Sequence, residues 1–192
     1  MSERLVVIGG DAAGMSAASQ ARRGRPDLEI VVLERGDWTS YAACGIPYLV
    51  GGDLDELDQL VARTPETFRQ KQHIDVRMRH EAVAVDLDAA EVEARDRDGD
   101  RTVRVGFDQL MIATGATPNR PPSPGIDGES VLGVQTLGDA ERLLARADAA
   151  CCDRVVGVGG GYIGLEKAQA FIQRGAEVTE IDASPELMRT LD

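Results

Sequence analysis

The chain has 192 residues, 43% of them hydrophobic, enough for one large domain or one and a half ordinary ones around a buried core. Its formal net charge of -12 argues against nucleic acid as the main partner, because a phosphate backbone is held by a positive surface, so any anion must find a local basic patch. Three cysteines and two histidines without metal-ligand spacing suit a reducing compartment, by default the cytoplasm, better than a disulfide scaffold or a zinc site, and no apolar run approaches the roughly 20 residues that span a membrane.

From Met1 to Arg4 the chain runs straight into a short aliphatic strand, Leu5 to Ile8, that stops at Gly9-Gly10, and small residues predominate from Ala12 to Ala21. The order reads strand, tight turn, helix. That helix should end near Gly24, with Arg22 and Arg23 in a last turn whose dipole suits cations and Pro26 beyond as a stop. Glu29 to Leu33 supplies a second strand closed by Glu34. The result is a βαβ unit with Gly9 and Gly14 as outer glycines of a G-x-G-x-x-G frame. Asp11 holds the middle position, where a glycine lets backbone approach a pyrophosphate, and it adds bulk and negative charge. Gly10 offers another flexible point, and Glu34 stands where an acid grips a ribose hydroxyl. A dinucleotide site outranks the plainer reading of a glycine turn with a surface glutamate.

Next comes Ser40-Tyr41-Ala42-Ala43-Cys44-Gly45-Ile46-Pro47-Tyr48, a small-residue turn presenting one cysteine between two tyrosines. Cys44 is expected beyond the carboxyl end of a sheet strand, where open α/β sheets place their ligands, and a helix starting near Gly45 would favour its thiolate. It reads as a redox thiol or as a buried, inert loop cysteine. Taken alone, a cysteine favours the second.

Gly51-Gly52 and the acidic Asp53 to Asp58 form an exposed turn, and Pro65 opens a helix to about Gln72. From Ile74 to Val105 the apolar residues alternate, with Val83 and Val85, Val92, then Val103 and Val105, and Asp98-Gly99-Asp100 is a hairpin turn. An antiparallel ribbon or meander follows from that pattern. Phe107 to Ala113 is a further aliphatic strand halted by Thr114-Gly115-Ala116, and Pro118 to Pro124 is a connection near a domain boundary. Asp139 to Ala149 has helical spacing and a solvated outer face. Cys151 and Cys152 are neighbours, a poor geometry for a mutual bridge, and read as structural thiols.

Arg154 to Val158 is a strand leading into a full G-x-G-x-x-G at Gly159, Gly161 and Gly164. A helix follows to Gln173, Gly175 caps it, and Val178 to Ile181 is a strand ending at Asp182. A carboxylate there accepts a ribose hydroxyl proton and repels a 2'-phosphate, so NADH is expected over NADPH. Glu180 is expected to face solvent.

Two dinucleotide frames, a cysteine loop after the first, a meander, and a Thr-Gly-Ala turn before the second resemble, across the whole chain, the FAD- and NAD(P)-dependent pyridine nucleotide-disulfide oxidoreductases. The resemblance implies an α/β architecture: a Rossmann-like FAD-binding domain with a β-meander over 1–117, a linker and connecting helix over 118–150, and the start of a second Rossmann-like, NAD(P)H-binding domain over 151–192. The single cysteine in Ser-Tyr-Ala-Ala-Cys-Gly-Ile-Pro-Tyr is similar to the branch with coenzyme A-disulfide reductases, NADH oxidases, NADH peroxidases and persulfide reductases. Where the dithiol members carry a second cysteine, this chain has Leu49.

Carried over residue by residue, the resemblance implies FAD on Gly9, Gly10, Ala12, Ala13, Gly14, Glu34 and Arg35, with Thr114 and Gly115 closing over the flavin side. It implies NADH on Gly159, Gly161, Tyr162, Ile163, Gly164, Glu166 and Asp182, with Tyr162 gating the nicotinamide face. Cys44 would be the catalytic thiol: hydride passes from NADH to FAD, two electrons reach oxidised Cys44, and its thiolate attacks or releases a sulfur or oxygen substrate. Its resting form would be a mixed disulfide or a sulfenic acid. Oxidase and peroxidase members carry a histidine where this chain has Ala12, which weakens a peroxide reaction. Coenzyme A-disulfide reductases contact their small-molecule thiol at positions matched by Ser16, Gln20, Arg23 and Ser40, and Arg22, Arg23 and Arg25 would supply the basic patch a polyanionic thiol needs. A plain solvated helix end accounts for those arginines about as well. Ala43 and Gln72 depart from the asparagine and lysine of such reductases, although Lys71 adjoins the second.

The resemblance implies that the full-length form completes both nucleotide domains and is a homodimer. The chain is therefore expected to be the first part of a longer enzyme, binding FAD poorly by itself; the rival expectation is a non-catalytic nucleotide-binding half that a separate partner completes.

Overall fold

Leu5 and Val7 point to one side of the first strand, Val6 and Ile8 to the other, and all four are buried, as befits a parallel strand covered on both faces. The computed structural model describes residues 2–148 and 152–188. In chain order the elements are β1 (Arg4–Ile8), α1 (Ala12–Gly24), β2 (Glu29–Leu33), α2 (Ile46–Gly51), α3 (Pro65–Gln72), β3 (Asp75–Arg77), β4 (His80–Asp86), β5 (Glu91–Asp96), β6 (Arg101–Gly106), β7 (Gln109–Ile112), α4 (Leu137–Ala147), β8 (Arg154–Val158), α5 (Tyr162–Gln173) and β9 (Glu177–Ile181). They fall into two compact units, residues 1–42 with 61–117, and residues 43–60 with 118–192.

In the first unit a parallel sheet runs β3-β2-β1-β7, with Arg4 opposite Glu29 and Leu5 opposite Gln109 in register. Leu5, Val7, Ile30 and Val32 meet Met15 and Ala18 of α1, Phe68 of α3, and Ile74 and Val76 on one face. On the other face Val6, Ile8, Val31 and Leu33 meet Val92, Ala94 and Val105 of an antiparallel sheet ordered β4-β5-β6. The layering of helix, parallel sheet and meander is the α/β arrangement expected from the sequence.

Two details differ from the sequence reading. Asp75–Arg77 does not belong to the antiparallel ribbon; it pairs parallel with β2, Val31 opposite Asp75, as an added strand of the first sheet. Left-handed residues at His73 and Arg79 bend the chain before and after it. Alternation has the same period in both kinds of pairing, so the pattern could not separate them. Val83 and Val85 are also exposed, at 51% and 38%: a register shift between Ala82 and Ala84 leaves Val83 without a cross-strand partner, and Val85 sits opposite Val92 near the strand's open end.

In the second unit β8 and β9 pair in parallel, Arg154 opposite Glu177. Helix α4 starts with a capping box in which Asp139 accepts from the Thr136 N–H at 2.7 Å and Thr136 Oγ1 accepts from the Asp139 N–H at 3.2 Å. Helix α2 is tied to the end of α5: Gln173 donates to Asp53 at 3.0 Å and Arg174 to the Val50 carbonyl at 3.0 Å. Val156, Val158 and Ile181 on the strands stay exposed. Cys151 and the last residue of the predicted Asp139 to Ala149 helix lie outside the described residues; Cys152 is a half-buried free thiol.

Candidate functional site

The turn after β1 is held so tightly that only glycine fits. Gly9 has φ +104°, and a side chain on Gly14 would stand 1.8 Å from the Gly9 carbonyl. Gly9 donates to the Leu33 carbonyl at 2.9 Å, and Gly10 donates to Glu34 Oε2 at 2.7 Å, while Glu34 Oε1 accepts from the Gly36 N–H at 2.6 Å. The acid at the end of β2 thus clasps the glycine turn at the end of β1. Ala113 bonds back to Ile8 at 2.8 Å, which brings the Thr114-Gly115 turn alongside Gly9. Ala12 and Ala13 are exposed at the start of α1, and Arg35 is exposed beside Glu34.

Asp11 does not close the frame. Its Oδ1 accepts from the Tyr41 N–H at 3.3 Å, and partial burial pushes its carboxyl up while the Tyr41 and Ala12 N–H groups pull it down. The bulk and charge that the middle position seemed to impose on a pyrophosphate are directed instead to the Ser40-Tyr41 segment.

The second turn repeats the first at an offset of 150 residues. Gly159 has φ +117° and donates to Ile181 at 2.8 Å, and a side chain on Gly164 would again lie 1.8 Å from the preceding turn carbonyl. Gly160 donates to Asp182 Oδ2 at 2.5 Å, and Asp182 Oδ1 accepts from Ser184 at 2.6 Å. The Gly160 N–H, then that of Ser184, hold the Asp182 carboxyl below its ordinary range. Gly161, Tyr162, Ile163 and Glu166 are exposed on the turn and the first turns of α5. Glu180 does not face solvent as expected. Its Oε2 is buried without a hydrogen-bond partner among the described residues, and its carboxyl is pushed up by burial and then by Asp182. It folds under Gly157, where a side chain would come within 2.0 Å of its Oε1.

Cys44 lies in a 3-10 turn, Ala43–Gly45, that runs into α2, and its thiol is exposed and free. It is therefore not the buried cysteine of the plainer reading. Helix α2 begins at Ile46, next to the expected Gly45, and Gly45 is packed under Leu60.

The first unit also carries an open cavity of about 420 Å³. Ser16, Ser19 and Arg23 of α1 line it, spaced to share one helix face, together with Ser40, Tyr41 and Ala42. Of the positions expected to meet a thiol substrate, Ser16, Arg23 and Ser40 therefore come together. Gln20 is absent from the lining and instead braces Arg23, accepting from its Nη2 at 2.5 Å. The expected trio of arginines does not form a patch. Arg22 donates to the Gln72 and His73 carbonyls, both at 2.8 Å, tying α1 to α3, and Arg25 pairs with Glu3 and Asp27. The sequence reading missed Arg63, which lines the same cavity with Phe68. It lies 23 residues after Ser40 and has no motif around it; only the pairing of Tyr41 with Val61 and the Ala62 to Ser40 hydrogen bond of 2.8 Å bring it there.

Among the described residues no cluster of three or more His, Cys, Asp or Glu could hold a metal, and no helix is long and apolar enough to cross a membrane.

The sequence profile of the family described as pyridine nucleotide-disulphide oxidoreductase matches residues 3–192. The chain belongs to that family. It is 38% identical over 189 residues to an NAD(P)H sulfur oxidoreductase (CoA-dependent) of Pyrococcus abyssi, covering 98% of this chain and 41% of the relative. It is 30% identical to a coenzyme A disulfide reductase of Staphylococcus haemolyticus, covering 98% and 42%. The crystal structure of reduced CoADR-RHD from Bacillus anthracis superposes with a TM-score of 0.96 at 31% identity, covering 100% of this chain and 35% of that one. The chain thus spans about two fifths of the length of the curated relatives it matches. For an oxidoreductase of this family both glycine turns fit a dinucleotide: each pairs a side-chain-free turn with an acid at the next strand end.

Proposed function

We propose that this oxidoreductase uses FAD and NADH to reduce a disulfide through the single thiol of Cys44, with coenzyme A disulfide as the substrate. The observation that carries the reading is the cavity that gathers Ser16 and Arg23 of α1 with Ser40 of the turn after β2 into one surface. Cys44 follows its Ala42 edge by two residues along the chain. The names of the Pyrococcus abyssi and Staphylococcus haemolyticus relatives, CoA-dependent sulfur oxidoreductase and coenzyme A disulfide reductase, support the same substrate.

Glycine turns Gly9 to Gly14 and Gly159 to Gly164 bind the two pyrophosphates through backbone N–H groups at the starts of α1 and α5. Glu34 and Asp182 receive the ribose hydroxyls. Asp182 stays ionised at neutral pH and repels a 2'-phosphate, which selects NADH. Bound FAD would supply the two-electron path from the nicotinamide to sulfur. On the protein side, the Cys44 thiolate attacks one sulfur of the substrate disulfide, forms a mixed disulfide and releases one thiolate, which takes a proton from water; two electrons and a proton then cleave the mixed disulfide, free the second thiol and restore the Cys44 thiolate. Ala12, in place of a histidine, leaves no proton donor there for peroxide.

The test is NADH consumption by the flavin-loaded protein with coenzyme A disulfide, peroxide, oxygen and persulfide as acceptors, repeated with Cys44→Ser. Coenzyme A disulfide should be preferred, and the variant should lose that activity. Disulfide reduction surviving in Cys44→Ser would overturn the mechanism.

A further inference from the structure

Helix α2 follows directly on the 3-10 turn that carries Cys44, and its six residues are too few for a helix that stands by itself in water. Ile46, Leu49 and Val50 are at most 2% exposed, so burial keeps α2 against its neighbours α4 and α5. Apolar burial has no direction, however, and leaves a short helix free to slide and tilt. Contacts at its two ends must set its place. At the start, Gly45 lies under Leu60 so closely that a side chain there would stand 2.2 Å from Leu60 Cδ2. At the end, the Gly52 N–H donates to the Leu49 carbonyl at 3.2 Å and the Asp53 N–H to the Tyr48 carbonyl at 2.8 Å, and the Val50 carbonyl takes its partner from outside the helix.

That partner is Arg174, the residue that closes α5. Its Nη1 donates to Val50 at 3.0 Å while its Nη2 pairs with Asp148, the residue that closes α4. The side chain is only 27% exposed. One guanidinium thus joins the ends of three helices, and its planar fork fixes the angle between its two partners. Gln173 beside it donates to Asp53 Oδ1 at 3.0 Å, a second tie just beyond α2.

We propose that Arg174, assisted by Gln173, is a positioning residue for the Cys44 reaction: by holding the far end of α2 it sets where the thiol at the near end stands. The proposal rests on the reading of Cys44 as the thiol that attacks a disulfide, and deepens it by naming what aims that thiol. From Cys44 to Val50 the backbone is a stiff lever roughly 10 Å long. In the exchange step the Cys44 thiolate bonds to one sulfur, the substrate S–S bond breaks, and the leaving thiolate takes a proton from water. Attack runs in line with the bond that breaks, so a tilt that moves the thiol by about 1 Å can cost up to about a hundredfold in rate.

The experiment follows coenzyme A release when the reduced protein, or its Arg174→Ala, Arg174→Lys or Gln173→Ala variant, meets increasing coenzyme A disulfide, with Cys44→Ser as the blank. Alkylation of Cys44 by iodoacetamide is followed in parallel as a function of pH, and both assays run well below the melting temperature of each variant. The disulfide reports where the thiol stands, whereas the small reagent reports only its ionisation and access. Arg174→Ala should lower the limiting rate of release roughly tenfold at an unchanged half-saturating concentration, and Gln173→Ala should lower it by a smaller factor. Arg174→Lys, with a point charge in place of the fork, should recover part of the loss. Alkylation and its pH profile should match the parent throughout. An unchanged limiting rate in folded Arg174→Ala, a change confined to the half-saturating concentration, or alkylation slowed by the same factor overturns the positioning role and leaves Cys44 as the attacking thiol. Should Arg174→Ala not fold, unchanged limiting rates in both other variants overturn the role. No release from the parent above the Cys44→Ser blank overturns both readings.

Discussion

Glu34 accepts the backbone N–H of Gly10 at 2.7 Å, so the last residue after one strand holds the turn at the end of its neighbour. With its second oxygen on Gly36, one carboxylate satisfies two N–H groups that would otherwise be left without partners in a part-buried turn. Glu34→Ala should cost roughly 2 kcal/mol of stability, in the range of hydrogen bonds to a charged acceptor, and Glu34→Gln less, since one acceptor oxygen remains. Urea unfolding measures both. A loss below roughly 0.5 kcal/mol in Glu34→Ala would show that water replaces the clasp without cost.

Gly14→Ala and Gly164→Ala both force a methyl to within 1.8 Å of a backbone carbonyl that has nowhere to go. Each should destabilise its unit by about 2–3 kcal/mol, the scale of overpacking against backbone. Gly24→Ala is the matched comparison. Nothing lies within 4 Å of the added methyl, and the helix end should gain up to about 0.5–1 kcal/mol from a less flexible unfolded chain. Equal effects at all three positions would contradict the packing argument.

Glu180 and Asp182 end the same strand and titrate in opposite senses. Burial raises Glu180 above its usual 4.5, so the folded state holds its proton more tightly than the unfolded state, and stability falls as pH rises through that raised value. Backbone N–H groups lower Asp182 from its usual 3.8; its contribution is present above that value and fades as pH falls through the lowered one. Glu180→Gln should therefore melt higher than the parent at pH 7, with the difference closing near pH 4. A difference independent of pH would mean that the side chain acts through shape alone.

The strand, turn and helix of both nucleotide frames were legible because they depend on local features: aliphatic runs, glycines at fixed spacing and an acid at the next strand end. The cysteine turn was legible for the same reason, including its helix start beside Gly45. What escaped the sequence depends on distant pairing. Asp75–Arg77 alternates equally well in a parallel sheet or an antiparallel ribbon, and Glu180 follows the strand's alternation onto the less exposed face beneath Gly157, where its charge argues for solvent. Arg63 enters the cavity only because Val61 and Ala62 pair with Tyr41 and Ser40. Arg22 and Arg25, grouped with Arg23 on proximity along the chain, are engaged elsewhere, and no sequence feature distinguished the three.

The central claim is that Cys44 is the thiol that meets an oxidised sulfur substrate, and it is tested most directly by mixing the reduced protein with coenzyme A disulfide and mapping adducts by peptide mass spectrometry. The account expects one mixed disulfide, on Cys44, formed with release of one equivalent of coenzyme A and reversed by a reducing thiol, with Cys151 and Cys152 unmodified. An unmodified Cys44, or an adduct confined to Cys151 or Cys152, would contradict it.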